Sequence, residues 1–277
     1  LYTAGQYYLQ TQQYALSEQH AQAALSSSEQ MGARWGEGRI LNLLAQIAMF
    51  QHKLPEAENI WRQAQQIANE MGDRRSMASI YSGLGQVYEW QGQIEKAIET
   101  ELLVLQIYRQ LGDDRLSAIA MNNLAYFHLL LKEPDYPQAT QFYRDSLDLF
   151  RLIQDQHGLL FTNYDLGQAY IKMGNLYQAL TCCQQALSLA QGLGAPNLML
   201  YALHGFASLA AQRGETERAL ELCGLLLTHP QTQDDTRQRT QSLLEELNAA
   251  ANPNLAQAAF QRGQALQLEP TVAEFLG

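Results

Sequence analysis

Six histidines (His20, His52, His128, His157, His204 and His229) and three cysteines (Cys182, Cys183 and Cys223) are the side chains best able to hold a metal or attack a substrate. A helical metal site needs two ligands one turn apart, and no two histidines stand four residues apart. Three cysteines are too few for a disulfide framework. Cys183 and Cys223 lie 40 residues apart, a spacing that recurs below. With no metal partner spaced nearby, the cysteines are expected to fill core volume as small hydrophobes, and His128 is expected to do the same. Ser, His and Asp occur in no order that would assemble a triad. The doublets Asp234-Asp235 and Glu245-Glu246 read as solvated helix surface. Neither Gly-x-x-x-x-Gly-Lys-Ser nor a Gly-x-Gly-x-x-Gly opening a helix after a strand occurs. The chain therefore reads as non-enzymatic, with no cofactor, no metal and no catalytic residue.

Composition narrows the remaining classes. The chain has 277 residues, 47% of them apolar, which is ample for a packed core and excludes a disordered chain. Its formal charge of −10 argues against a sequence-independent grip on nucleic acid, which needs clustered cations. No run approaches the roughly 18 consecutive apolar residues of a membrane span, so no membrane partner is expected. The first residue is Leu1 rather than Met, so a fragment or processed chain is expected, and the lack of a signal peptide says little about location. Sparing use of cysteine favours a reducing, cytoplasmic setting.

What could position functional side chains is a repeat. Met31-Gly32, Met71-Gly72 and Leu111-Gly112 are 40 residues apart, and Ile153-Gln154 and Leu193-Gly194 continue the series after one step of 42. The longer step reflects an insertion at Lys132–Pro137. A second series, Gln12, His52, Gly92, Gly174 and Gly214, runs between these marks, each followed five residues later by a small residue (Ser17, Ala57, Ala97, Ala179 and Ala219). Two interleaved series at one period mean two helices per unit. Apolar residues recur at three and four, as in Ile80, Leu84, Val87 and Tyr88, which fits amphipathic helices. Glycine at the marks suits a left-handed helix C-terminus. Asp73, Asp113 and Asp155 are placed to cap the following helices, and in the insertion Asp135 can cap while Pro137 takes a first-turn position.

These residues resemble the tetratricopeptide repeat in its longer form, with a period near 40. Its first-helix signature, Leu-Gly-x-x-Tyr, is met by Leu84-Gly85 with Tyr88 and by Leu166-Gly167 with Tyr170. Ala4-Gly5 with Tyr8 and Leu124-Ala125 with His128 match in part. Its second-helix signature, small–aromatic–small, is met by Ala57/Trp61/Ala64 and Ala139/Tyr143/Ser146, and at smaller volume by Ala179/Cys183/Ala186. The resemblance implies an all-α fold, a right-handed α-solenoid of stacked helix-turn-helix hairpins. About six hairpins would fill residues 1–231, the first lacking the start of its first helix, and capping helices residues 232–277. Glu101 departs from the pattern, standing where an aromatic belongs; a carboxylate there is costly unless paired or solvated, and a neighbouring tyrosine is one possible partner. Phe206-Ala207 and Ala210 replace the signature in the sixth repeat, so looser packing is expected there.

In the tail, Asp234–Leu247 reads as a helix, Asn252-Pro253 as a break, Asn254–Leu268 as another helix, and Val272, Phe275 and Leu276 as an apolar stretch after Pro270. A solenoid needs a terminal unit to close its apolar end, and this segment is placed to supply it. Residues Ala259 to Val272 are similar to the segment that ends such arrays in bacterial ATP-dependent signalling regulators, LuxR-type transcription factors among them, with Gln264 in place of an arginine. That similarity implies the sensing C-terminal part of a larger regulator.

In this family the first helices line a concave face, which implies where function lies. Groove positions would be Arg39, Asn42, Leu43, Gln46, Met49 and Phe50 in the second repeat and Ser79, Gly83, Gln86, Glu89 and Trp90 in the third. In the fourth they would be Asn122, Asn123 and Tyr126, in the fifth Phe161, Tyr164, Asp165, Gln168 and Ile171, and in the sixth Tyr201 and His204. Amides at Asn42, Gln46, Gln86, Asn122, Asn123 and Gln168 can donate to and accept from an extended peptide backbone. The rings of Phe50, Trp90, Tyr126, Tyr164 and Tyr201 offer rigid contact area. Arg75 and Arg115, one repeat apart near the starts of first helices, could pair with partner carboxylates. Against this, glutamine is abundant (35 residues), and Trp90 and Phe50 could simply close gaps between repeats. The leading expectation is a scaffold binding a protein or peptide partner in its groove; the other is ligand or partner sensing within a larger regulator. An exposed first-repeat face could also carry self-association.

Overall fold

The computed structural model describes all residues from 1 to 277, and every regular element is an α-helix. The chain forms two compact units, Leu1–Pro134 and Asp135–Gly277, divided inside the inserted segment. The first unit contains α1 (Tyr2–Gln10), α2 (Tyr14–Gln30), α3 (Arg34–Phe50), α4 (Leu54–Glu70), α5 (Arg74–Trp90), α6 (Ile94–Leu111) and α7 (Asp114–Leu130). The second contains α8 (Tyr136–Leu152), α9 (Gln156–Lys172), α10 (Leu176–Gly192), α11 (Pro196–Gln212), α12 (Thr216–Thr228), α13 (Asp234–Ala250), α14 (Pro253–Gln264) and α15 (Leu268–Leu276). Consecutive helices pack on one another from α1 to α7 in the first unit and from α8 to α13 in the second, and first helices of neighbouring repeats touch as well: α1 with α3 and α3 with α5 in the first unit, α9 with α11 in the second. This is the stacked-hairpin plan of an α-solenoid.

The punctuation of the sequence is written into the backbone. Gly32, Gly72, Gly112 and Gly194 in one series and Gly92, Gly174 and Gly214 in the other all take φ between +61° and +75°. Gln12, His52 and Gln154, which stand in for glycine, take φ of 57°, 60° and 55°. The turn dictates the left-handed residue whatever its side chain, and a Cβ there carries a strain of about 1–2 kcal/mol. At the other helix ends, Asp73, Asp113, Asp135 and Asp155 accept from the backbone N–H three residues on (Ser76, Leu116, Gln138 and Gly158), each satisfying an orphan donor.

Second helices supply the core through one slot. Ala57, Trp61 and Ala64 are fully buried, as are Ala139, Tyr143 and Ser146 and the smaller Ala179, Cys183 and Ala186 to within 2% exposure. The Trp61 ring fills space a side chain would otherwise occupy, since a Cβ on Gly83 would lie 2.3 Å from it. Cys223 fills the same slot one repeat after Cys183, and burial pushes both thiols up to about 12 and Cys182 to about 11, so all three are inert. Glu101 occupies the slot in α6 with 1% exposure. Its partner is Asn123, which donates Nδ2–H at 2.8 Å, rather than a tyrosine.

The tail differs from expectation in its boundaries. The helix begun after Asn252 ends at Gln264, and Pro270 lies in the first turn of α15, where a missing N–H costs nothing. Helix α14 packs on α12 at a glycine seam: a Cβ on Gly263 would meet the Glu221 carbonyl and one on Gly224 the Phe260 carbonyl. Helix α15 lies on α10 and α11, and the Phe275 ring packs against Phe206 with centroids 4.3 Å apart and planes tilted by 31°. That ring fills the sixth-repeat position expected to pack loosely, where Phe206, Ala207 and Ala210 are all buried.

Candidate functional site

Helices α3, α5 and α7 carry the expected groove residues of the first unit on one face, because positions three and four apart share a helix side. Phe50, Trp90 and Tyr126 remain 42%, 41% and 44% exposed. Each also leans on a neighbour: Phe50 stacks on Tyr14, Trp90 on His52, and Tyr126 donates its O–H to Glu89 at 3.3 Å. The rings thus brace adjacent helices and still offer open faces. Gln46 is half-buried, Gln86 is exposed, and the half-buried Asn122 keeps a carbonyl oxygen with no hydrogen-bond partner. Burial raises the Glu89 carboxyl above its ordinary range, against the Tyr126 hydrogen bond.

Other expected contacts are already used within the protein. Asn42 accepts from Trp61 Nε1–H at 2.7 Å and donates to Ser79 Oγ at 3.2 Å, tying two repeats together. Asn123 faces Glu101 and leaves the groove for the helix behind it. Arg75 donates to Asp113 of the next repeat at 3.1 Å, so this arginine starts out paired with a carboxylate of its own chain. Arg115, the next along the series, is exposed. Leu43, Met49 and Gly83, expected in the groove, lie in the core, since an inner helix packed by neighbours on two sides buries more than a half-face.

The second unit departs further. Tyr164, Tyr201 and His204 are 2%, 7% and 7% exposed, so none offers groove surface. Helix α13 lies against α11, and its Arg239 guanidinium sits 5.9 Å from the Tyr164 ring centroid. Beneath it, the Tyr164 hydroxyl and His204 Nδ1 are 2.8 Å apart and the Tyr164 and Tyr201 rings 4.2 Å apart. Burial drives the Asp165 carboxyl up to about 7 and the His204 imidazole down to about 4, so His204 is neutral at neutral pH while Asp165 stands at its titration midpoint. His204 Nε2 and Gln168 Nε2 are buried with no hydrogen-bond partner. Ile171 is buried too, while Phe161 remains 37% exposed beside Tyr201. The polar tail helix, whose position the repeat pattern does not encode, covers what the sequence would leave open.

The structure also brings in residues that counting from the signature misses. Between α1, α3 and α5 lies a cleft of about 720 Å3 lined by Tyr2, Gln6, Trp35, Arg39, Asn42, Leu43, Gln46, Asp73, Arg75, Ser76 and Ser79. Trp35 is 52% exposed and donates to Asp73 at 2.9 Å. It stands one turn before Arg39 on the same helix face, a signal the sequence did contain. Arg39 lies against the Trp35 and Tyr2 rings, 4.7 and 5.0 Å from their centroids. No group of three or more His, Cys, Asp or Glu side chains could hold a metal, and no helix is long and apolar enough to cross a membrane.

Comparison with known proteins agrees with this architecture. The model of the tetratricopeptide repeat family matches residues 36–110, 76–152 and 158–222. No curated protein matches the sequence significantly. Among solved structures, BtubC from P. vanneervenii is similar at 18% identity and a TM-score of 0.63, over 88% of this chain and 91% of that one. A signal-transduction ATPase of the STAND class with a tetratricopeptide repeat sensor, from Pyrococcus horikoshii, is similar at 14% identity and a TM-score of 0.73; the match takes in 99% of this chain and 43% of that protein. A Rap protein complexed with Competence and Sporulation Factor is similar at 18% identity and a TM-score of 0.60, over 99% of this chain and 75% of that one. Periodic left-handed turns, the small–aromatic–small core slot and the family match over most of the length agree: the chain belongs to the tetratricopeptide repeat family.

Proposed function

We propose that the chain is a non-enzymatic scaffold, working in the cytoplasm, that docks an extended peptide segment of a protein partner on the inner helices of its first unit. One observation carries this reading: Phe50, Trp90 and Tyr126 keep about two-fifths of their surface open on successive inner helices, beside the amides of Gln46, Gln86 and Asn122. Rigid rings give contact area at little entropic cost, and amides can pair with a peptide backbone. The likeness to a Rap protein solved with Competence and Sporulation Factor supports the same use of the fold. The test is selection from a library of random 12-residue peptides displayed as C-terminal fusions. Peptides enriched on the wild type should bind N122A/Y126A at least tenfold more weakly, while a Q106A control on the outer face binds as before and all melting curves coincide. Equal affinity for both variants, or no enrichment at all, would remove the groove from consideration.

A second reading has its own support in the likeness to a STAND ATPase whose tetratricopeptide repeats are its sensor, and in the tail from Ala259 to Val272. In it, the chain is the sensing segment of a larger regulator. An ATP-binding module encoded directly upstream of Leu1 supports it; a start codon there overturns it.

A further inference from the structure

We propose that the outer groove between α8 and α10 is a second docking site, and that it takes a short amphipathic helix of a partner protein with one polar side chain in its apolar stripe. The site lies wholly in the second unit and does not depend on peptide docking to the first.

The chain shows on itself how such a groove is filled. Helix α15 packs on α10 and α11, and Arg218 of α12 holds it from the other side through Glu274 and the Phe275 ring. Its apolar residues Leu268, Val272 and Phe275 are four and three apart, on one helix face. Leu268 and Val272 join the core that contains Leu203 and Leu225, and the Phe275 ring rests on Phe206. Gln184 of α10 donates to the Phe275 carbonyl in the last turn.

One repeat earlier the same frame is open. Counting back 40 residues, α8, α9 and α10 stand where α10, α11 and α12 hold α15. Two adjoining cavities of about 490 Å3 each lie there, and Arg151, Asn163, Thr181 and Gln185 line both. Leu276 lines one of them, so the open groove adjoins the filled one. Tyr177 lines the other and is 82% exposed, a ring with most of its surface free for a guest.

The residues that differ between the two grooves define what the open one accepts. Leu166 stands in place of Phe206 and keeps an apolar seat for the residue equivalent to Phe275. Asn163 stands in place of Leu203, and Gln185 in place of Leu225. The other repeats give the Asn163 position to Leu41, Tyr81 and Met121, so repeat packing does not ask for an amide. Asn163 is 3% exposed; its amide N–H donates to the Leu159 carbonyl at 2.8 Å, while its own carbonyl oxygen has no partner. An unpaired buried acceptor destabilises the free protein, and a hydroxyl or amide on the guest supplies the missing donor. That side chain belongs at the place of Leu268 or Val272, the α15 residues that share a core with Leu203 and Leu225. Arg144 replaces Gln184, and donates to the neutral Tyr170 hydroxyl at 2.7 Å. Its charge suits the last turn of a helix, where the carbonyls form the negative end of the dipole. This is helix-in-groove recognition with a polar match at its centre.

The test displays a library of helices, seven positions of one face randomised on a stable helical hairpin, and selects on the full chain. Enriched helices should carry the four-and-three apolar spacing with Gln, Asn, Ser or Thr in the first or second place. They should bind T181W and Q185W, which plug the groove from exposed positions, at least tenfold more weakly. R144Q should cost about two- to fivefold, and N122A/Y126A nothing. N163L, which restores the leucine of the filled groove, should melt about 2–4 °C above wild type and bind the enriched helices at least fivefold more weakly. No enrichment, or binding that survives both tryptophan variants, overturns the site. All-apolar helices that bind N163L as well as wild type overturn the polar match. A wild-type dimer in sedimentation that T181W dissolves would show a second copy in the groove and overturn the partner helix.

Discussion

Glu101 offers the sharpest test of the physical account. Its carboxyl fills a slot taken by Trp61 in α4 and Tyr143 in α8, is 1% exposed, and has a single neutral donor, Asn123. Burial raises it to about 7, and the Asn123 bond offsets only part of that. In the unfolded chain a glutamate titrates near pH ~4.3. Between these values the folded protein holds a proton that the unfolded chain has released, so stability falls as pH rises. The contribution is complete below about pH 4.3 and lost by the time pH has passed 7. At about 1.4 kcal/mol per pH unit, the loss amounts to roughly 3–4 kcal/mol. E101Q keeps the volume and the acceptor for Asn123 and carries no charge. Urea unfolding followed by circular dichroism should give equal stabilities for E101Q and wild type near pH ~4.5, and E101Q more stable by about 3 kcal/mol near pH ~8. Asp165, also raised to about 7, slopes both proteins alike and cancels in the difference. A difference that stays flat across this range, or a variant less stable at the alkaline end, would refute a buried, neutral Glu101.

Two further outcomes follow from the backbone and the core. Gln154 holds φ of 55° at a position its counterparts give to glycine, so Q154G should raise stability by about 1 kcal/mol in thermal melts; no gain would mean that the turn carries no strain. Gly83 abuts the Trp61 ring, and G83A should cost about 2–3 kcal/mol and shift the indole emission by displacing it from Asn42; an unchanged melt would show that the core can yield there.

The architecture could be read from the sequence because each repeat restates the same local rules. Glycine or its stand-in marks every left-handed turn, aspartate precedes four of the helices it caps, and a small–large–small triplet marks the core slot in α4 and α8. The site was only partly legible, because facing the groove and being free in it are separate properties. Asn42 and Asn123 have the right types at the right spacing, yet one braces two repeats and the other satisfies Glu101, a partner 22 residues away. Tyr164 and His204 were lost to α13, a helix outside the repeat pattern whose docking depends on tertiary contacts. Trp35 and Tyr2 carry no repeat signature, because one lies a turn ahead of the groove positions of its helix and the other in the incomplete first repeat.

The inner face of the first unit sets how long a peptide docked along it, as proposed, would be. The inner helices of the first unit are α1, α3, α5 and α7, and neighbouring rods lie about 10 Å apart, so their track is about 30 Å long. Extended chain advances about 3.3 Å per residue, and some nine or ten residues would fill it. A ligand of that length can touch the arginine cleft at one end and the Tyr126 ring at the other, whereas a shorter one must choose between them.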